Sequence, residues 1–524
     1  MQSFAIVRPR TPRLQAGPRR VLVATAALAL SAPACTTAAA SSPAPRTDAG
    51  SAPLAAALPG TVPARICGSP GLDGPATPPP GAKVVRDQKL GRLARRSRKG
   101  RVFWLAPGVH RLGSDPYSQV MPKDHQVFIG APGAVIDGQH KNLYAFTGKA
   151  RGVRIEHLTI TGFGQPGDNG GQAVVNHDSG HQWAITHSTI TGNAGAGVFL
   201  GTRTRVVSSC LSSNGEYGFQ SFSMHGPHDV VLRHNEISHN NTDDWESIQP
   251  GCGCSGGGKF WNTRGAVVTD NWVHDNRGVG LWADTNDRGF LFKNNYLSDN
   301  DAEGILYEIS YNARIVHNTF VRNAIVEGPS SPGFPFGAIY ISESGSDPRV
   351  HTAYRHHFVI SRNRFIDNWA GIMAWENPDR FAGSPYNSST GFTTLVAPRV
   401  ATVRHCSDPT LIGNRPYVDD CRWKTQRLSV THNRFTMDRQ SIPGCSADAG
   451  CGWNGLVSNY GTVPTWSPYK GYVVPRHISF AQHNIWRNNH YRGSWRFVAY
   501  TLGNPVSWHR WRGKFGQDAH STRS

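Results

Sequence analysis

Methionine is scarce, 5 in 524 residues, and the 35 acidic residues are outnumbered by 54 lysines and arginines. Few stretches carry the apolar period of an amphipathic helix. No apolar run approaches the ~20 residues that a bilayer-spanning helix needs. No basic segment is interleaved with aromatics in the manner of a nucleic-acid platform. These absences exclude a helix bundle and a helical membrane span, and they leave nucleic acid an unexpected partner. What is abundant is glycine, 57 residues, together with conspicuous asparagine, a composition that favours short strands joined by tight turns.

The N-terminus reads as an export signal. Pro9 to Arg20 is arginine-rich and ends in the pair Arg19-Arg20, an apolar run follows from Val21 to Leu30, and small residues close the segment before Cys35. That order is expected of a secretory signal peptide over 1–35, with the arginine pair hinting at twin-arginine export. Cys35 is an alternative lipid-attachment site, but Ala32 stands where lipoprotein signals usually carry leucine, so simple secretion is the expectation. Of nine cysteines, eight remain after Cys35, and in an exported chain an even number reads as disulfides before metal. Cys406 with Cys421 and Cys445 with Cys451 are expected local pairs. The partners of Cys67, Cys210, Cys252 and Cys254 stay open, and Cys252-Gly253-Cys254 lacks the second half of a zinc motif. The net charge of +19 suits an acidic polysaccharide or a cell wall, or simply follows from an arginine-rich composition.

Residues 36–82, rich in Ala, Pro and Ser, are expected to be a disordered linker, with the folded domain over 83–524. Lys89 to Arg98 is a candidate basic helix capping the open end of a solenoid, and Val102–Leu105 reads as its first strand. Internal repetition is the strongest signal. Val268–Asn276, Phe292–Asn300 and Ile315–Asn323 align without gaps, so that Asn271, Asn295 and Asn318 recur at intervals of 24 and 23 residues. Weaker copies are Ile185–Asn193, Val206–Asn214, Leu232–Asn240, Ile360–Asn368, Val430–Asp438 and Ala481–Asn489. A period near 23 with alternating apolar residues predicts an all-β, right-handed parallel β-helix. The asparagines are expected to stack at one turn of successive coils, bonding amide to amide. Residues 324–357, 377–427 and 439–477 break the period as long loops, and loops on a rigid solenoid usually build its binding surface.

Each coil carries a second strand ahead of the ladder. Asp284 lies eleven residues before Asn295 and Glu308 ten before Asn318, so one extra residue in a turn leaves the two acids in one column. Alternation turns Leu281 and Ala283 inward and the acids outward, on strands about 4.8 Å apart. Carboxylates this close repel, which raises one pKa unless a cation or metal intervenes. The pair suits a retaining glycosidase, whose carboxyls sit about 5–5.5 Å apart, and it can equally hold calcium. Counting eleven back from Asn271 places Phe260 in that column and leaves Lys259 inward unless a bulge turns it out. Lys259 is then expected to meet Glu246, Asp284 or Glu308, because an unpaired buried lysine is costly. Glu343 and the pair Trp375-Glu376 extend the acidic face, and Trp245, Trp282 and Trp375 are candidate sugar platforms. Asn176 to His181 has a metal-like composition, but its histidines lie in a turn-like stretch.

Gly257-Gly258-Lys259-Phe260, Gly280-Leu281-Trp282-Ala283-Asp284 and Tyr307-Glu308-Ile309-Ser310-Tyr311 resemble bacterial right-handed parallel β-helix repeat proteins of the pectate-lyase-like superfamily. The resemblance covers roughly 100–500 and is strongest over 230–345. It implies the fold; it does not choose a function, because that superfamily includes lyases, hydrolases, epimerases and noncatalytic proteins. No Arg or Lys constellation maps residue by residue onto the pectate lyase site. The expected activity is cleavage of a polysaccharide by a secreted monomer, either by hydrolysis through Asp284 and Glu308 or by elimination with Lys259 as base. A noncatalytic glycan- or wall-binding protein is the alternative.

Overall fold

The computed structural model describes residues 61–524 apart from 87–88, 166–172, 223–224, 249–254, 331–333, 388–396, 447–449 and 502–503. The signal peptide, Cys35, Cys252 and Cys254 lie outside the described residues.

Three sheets of 13, 13 and 11 strands, here A, B and C, carry the chain. From Arg154 to Tyr500 each coil contributes one strand to each sheet in turn, as in Arg288–Lys293 (A), Tyr296–Ser298 (B) and Ile305–Glu308 (C), whereas the strands before Arg154 enter only A and B. Successive coils pair in parallel throughout, and only the last strand of sheet C, Pro505–Val506, runs antiparallel. This is a parallel β-helix, as the period predicts.

Asparagine holds two of its edges. After sheet A, the amides of Asn235, Asn271, Asn295, Asn318, Asn363, Asn433 and Asn489 form a ladder, each Nδ2 donating to the next Oδ1 at 2.9–3.2 Å. After sheet B, Asn193, Asn214, Asn240, Asn276, Asn300, Asn323 and Asn368 do the same at 2.8–3.0 Å. Each rung also binds backbone; Asn295 Nδ2 donates to Val268 O, and its Oδ1 accepts from Asn271 N. Turn polar groups that burial would orphan are thereby satisfied. The final repeat copy is shifted by five residues. Asn489, not Asn484, stacks on Asn433, because the sheet A strand there is Ile485–Arg487. The interior is a column of apolar side chains, with Phe320, Phe365, Phe435 and Tyr491 stacked at 4.5–5.0 Å. Burying each such ring stabilises by roughly 1.5–3 kcal/mol.

The N-terminal end differs from expectation in two ways. The helix Leu90–Arg96 does cap the stack, burying Leu90 and Ala94, and Gln126 Nε2 binds the carbonyls of Ala94 and Arg98 at its end. But Lys83–Val85 precedes it and pairs with Phe103–Leu105, so Val102–Leu105 is the second strand of its sheet. Residues 61–82 also depart from a linker that ends at 82, since they run as a strap along the solenoid. Val62 packs on Tyr296, Val321 and Ile366; Ile66 and Cys67 donate their amides to Glu236; Leu72 O meets His157; and Pro75 O meets Trp104. Cys67 is bonded to Cys210, a pairing that spacing left open, while Cys406–Cys421 and Cys445–Cys451 form as expected. Among the described residues no helix is long and apolar enough to cross a membrane.

Candidate functional site

Sheet C presents two outward columns, one residue apart from the core column. The first runs Gln220, Lys259, Trp282, Leu306, Tyr340, Met373; the second runs Trp261, Asp284, Glu308, Ser342, Trp375. Asp284 and Glu308 are therefore in register on neighbouring coils. The turn from Asp284 to Arg288 holds three residues, whereas those from Trp261 to Arg264 and from Glu308 to Tyr311 hold two. That extra residue is the one-residue difference in the spacing to the ladder. It also corrects the position of Lys259. Trp261, not Phe260, occupies the acid column, so Lys259 lies two residues away on the same outward face and needs no bulge.

Lys259 Nζ is 2.9 Å from Asp284 Oδ2 and 3.3 Å from the ring centre of Trp282. Asp284 is 6% exposed, and its other oxygen accepts from Thr285 Oγ1 at 2.8 Å. Glu308 pairs with Arg380, whose Nη1 also lies 3.2 Å from Glu343 Oε2. Each stacked acid thus has its own cation, and the repulsion expected between them is met by Lys259 and Arg380. Burial pushes the Glu308 carboxyl up; Arg380 opposes this, while Asp284 and Glu343 add to it. Glu343 is buried, accepts from Ser342 Oγ and Asn377 N, and is likewise raised by burial against the pull of Arg380.

Arg380 arrives on the 377–427 loop. Asp379 beside it accepts from Thr462 N and Oγ1, both at 2.9 Å, which locks this loop to the 439–477 loop. Two further groups join the cluster. Glu303 precedes the strand of Glu308, is fully buried with its Oε1 unpartnered among the described residues, and is pushed up to about 8, mainly by burial and further by Glu327 and Glu308. Tyr340 follows Leu306 in the first column, and burial, with Glu343, Glu308 and Glu303 nearby, raises its phenol well above the ordinary range. Register alone places Tyr340 there; nothing in the sequence places Arg380, which lies outside the repeat.

Other expected residues are placed differently. Glu376 is buried and committed to structure, since it accepts from Arg422 Nη1, Thr425 N and Gln482 Nε2 at 2.7–2.9 Å. Trp282, 4% exposed under Lys259, and Trp245, 6% exposed, offer no open face to a sugar. Trp375 is half-buried, stacks toward Tyr340 at 6.3 Å, and donates to Asn459 Oδ1. Glu246 is exposed on the short helix Trp245–Ile248.

Residues 172–354 match the family model of a right handed beta helix region. No curated protein sequence matches the chain. Among solved structures, the A-module of mannuronan C-5 epimerase AlgE4 from Azotobacter vinelandii is similar at 13% identity, covering 85% of this chain and 97% of that one with a TM-score of 0.44. Pectate lyase Pel9A is similar at 11% identity over 44% of this chain and 70% of its own, TM-score 0.32. PfbA, a surface adhesin of Streptococcus pneumoniae, is similar at 10% identity over 84% and 93%, TM-score 0.37. At these identities and scores they carry no weight about activity. With three parallel sheets wound coil on coil and that family match over its centre, the chain is a right-handed parallel β-helix repeat protein.

Proposed function

We propose that the chain is a carbohydrate-active enzyme that hydrolyses glycosidic bonds of a polysaccharide along sheet C. The observation that carries this is the Asp284–Glu308 pair, in register on adjacent strands yet in unlike surroundings. Two carboxyls whose environments differ are what an acid and a nucleophile require. Burial raises Glu308, which suits it to protonate the leaving oxygen. Asp284, ion-paired with Lys259, then attacks the anomeric carbon, and water releases the product. A strand spacing of about 4.8 Å agrees with the separation of retaining rather than inverting carboxyls. Elimination is favoured less, since a lysine serving as base must be neutral and Lys259 is bound to a carboxylate. Trp375 is the half-buried aromatic best placed as a sugar platform beside the acids.

The test is a panel of polysaccharides incubated with the purified chain, followed by product analysis. Saturated reducing ends are expected, reduced about 10²–10⁴-fold in Glu308→Gln. Unsaturated, ultraviolet-absorbing ends would assign a lyase instead. Glycan binding without cleavage, unchanged in Asp284→Asn and Glu308→Gln, would overturn the enzyme in favour of a binding protein.

A further inference from the structure

A second constellation lies on sheet B, away from the paired acids, and nothing in the proposed reaction uses it. Ser238 and His274 are partners on adjacent strands, and the turn residue His239 donates its amide to His274 O, so His239 and His274 face one another across coils. Their rings meet edge to face with centres 5.7 Å apart. Asp275 follows His274, with its Oδ2 2.6 Å from His274 Nδ1. One ligand atom from each of His239, His274 and Asp275 lies within 4.8 Å of the others.

What surrounds the trio is organised as a metal site's outer layer is. His274 is buried and stacked on Trp272 at 3.9 Å, which fixes its plane. Its second nitrogen, Nε2, is 3.3 Å from Glu236 Oε1. Glu236 is itself wholly buried and held by the amides of Ile66 and Cys67 at 2.7 and 2.9 Å. A carboxylate on the far nitrogen of a ligating histidine fixes its tautomer and raises its basicity. Two imidazoles and one carboxylate suit a borderline dication, not calcium or magnesium, which prefer oxygen alone.

We propose that His239, His274 and Asp275 bind one zinc-class dication, with His274 ligating through Nδ1 and donating Nε2–H to Glu236. A tetrahedral ion with bonds of about 2.0–2.1 Å holds ligand atoms about 3.4 Å apart, so the exposed His239 closes in by rotation while Asp275, whose Oδ2 is 2.6 Å from His274 Nδ1, swings outward to admit the ion. A solvent molecule completes the set. Because Glu236 also grips the strap at Ile66 and Cys67, the ion would stiffen the strap's attachment to the second sheet.

The test uses the untagged full chain, stripped with a chelator and dialysed, then titrated with zinc sulfate by calorimetry, with bound metal counted by elemental analysis. One equivalent is expected, with affinity at least about 10-fold weaker in Glu236→Gln and binding lost in His239→Ala. His239 is exposed, so that variant should keep the metal-free melting temperature of the parent. Substituting cobalt should give a visible spectrum of low-coordinate N/O ligation in the parent and not in His239→Ala. Absence of stoichiometric binding, or zinc binding that survives His239→Ala unchanged, would overturn the site.

Discussion

Lys259 and Asp284, from neighbouring coils, meet at 2.9 Å while the lysine ammonium lies over the ring of Trp282. A cation held simultaneously by a carboxylate and an aromatic face is fixed in place, and it fixes both partners. Lys259→Met should therefore leave a largely buried carboxylate unpaired and destabilise the chain by about 1–3 kcal/mol, read by denaturant unfolding. Lys259→Arg should restore part of that loss, because the guanidinium keeps the charge and stacks as well. A Lys259→Met variant as stable as the parent would mean that the pair is solvated surface.

Arg380→Gln removes the shared cation between Glu308 and Glu343. The buried Glu343 and half-buried Glu308 carboxyls then face one another, and breaking such a pair costs up to about 3–5 kcal/mol. Both groups already lie above their ordinary values through burial, and losing Arg380 moves them higher. The folded variant then holds protons that the unfolded chain releases, so its stability falls as pH rises. Melting curves between pH 5 and pH 8 should show the deficit shrinking toward the acid side; a deficit independent of pH would contradict the assignment.

Glu303 gives a cleaner titration. Its folded value of about 8 lies above the unfolded one, so its proton favours folding at low pH, and that contribution is lost as pH rises from the unfolded value through about 8. Glu303→Gln should remain folded, be more stable than the parent near pH 8 by about 1–3 kcal/mol, and differ little near pH 4. The comparison needs only thermal melts at two pH values, and equal differences at both would sink the idea.

Asn295→Ala should be among the costliest single changes in the ladder. It removes amide bonds to Val268 O and Asn318, and it orphans the Asn271 donors that rest on its Oδ1. A buried donor left unmade costs about 1–3 kcal/mol. Hydrogen exchange should report the opening locally, at the coils of Asn271 and Asn318, before any global change.

The fold was legible because its driving interaction repeats. Asn271, Asn295 and Asn318 each solve the same turn, so the spacing between them is a direct measure of the coil. The stacking of Asp284 on Glu308 was legible for the same reason, since both are counted from the ladder. Lys259 was misplaced by one residue because the turn after Asp284 holds one residue more than the turn after Trp261, a local choice that apolar alternation does not record. The last coil slipped by five residues because Asn484 and Asn489 both present an asparagine and only one continues the column. Arg380 was illegible in principle: it belongs to a loop whose path is set by tertiary contacts such as Asp379 with Thr462. Glu376 looked like an extension of the acidic face, yet its neighbours Arg422 and Gln482 come from remote loops that use both of its oxygens.

The bond between Cys67 and Cys210 turns the first coils into a covalent ring of chain, closed between residues 143 positions apart in the sequence. A solenoid ordinarily peels from either terminus, one coil at a time, as a coiled rope frays. Here the amino-terminal end has nowhere to peel: Trp104, His157 and Glu236 are crossed by a strap whose far side is tied to the same stack. Fraying is left to the carboxyl-terminal coils, so the molecule has a fast end and a slow end. Limited proteolysis should shorten it from the carboxyl terminus until reductant opens the ring.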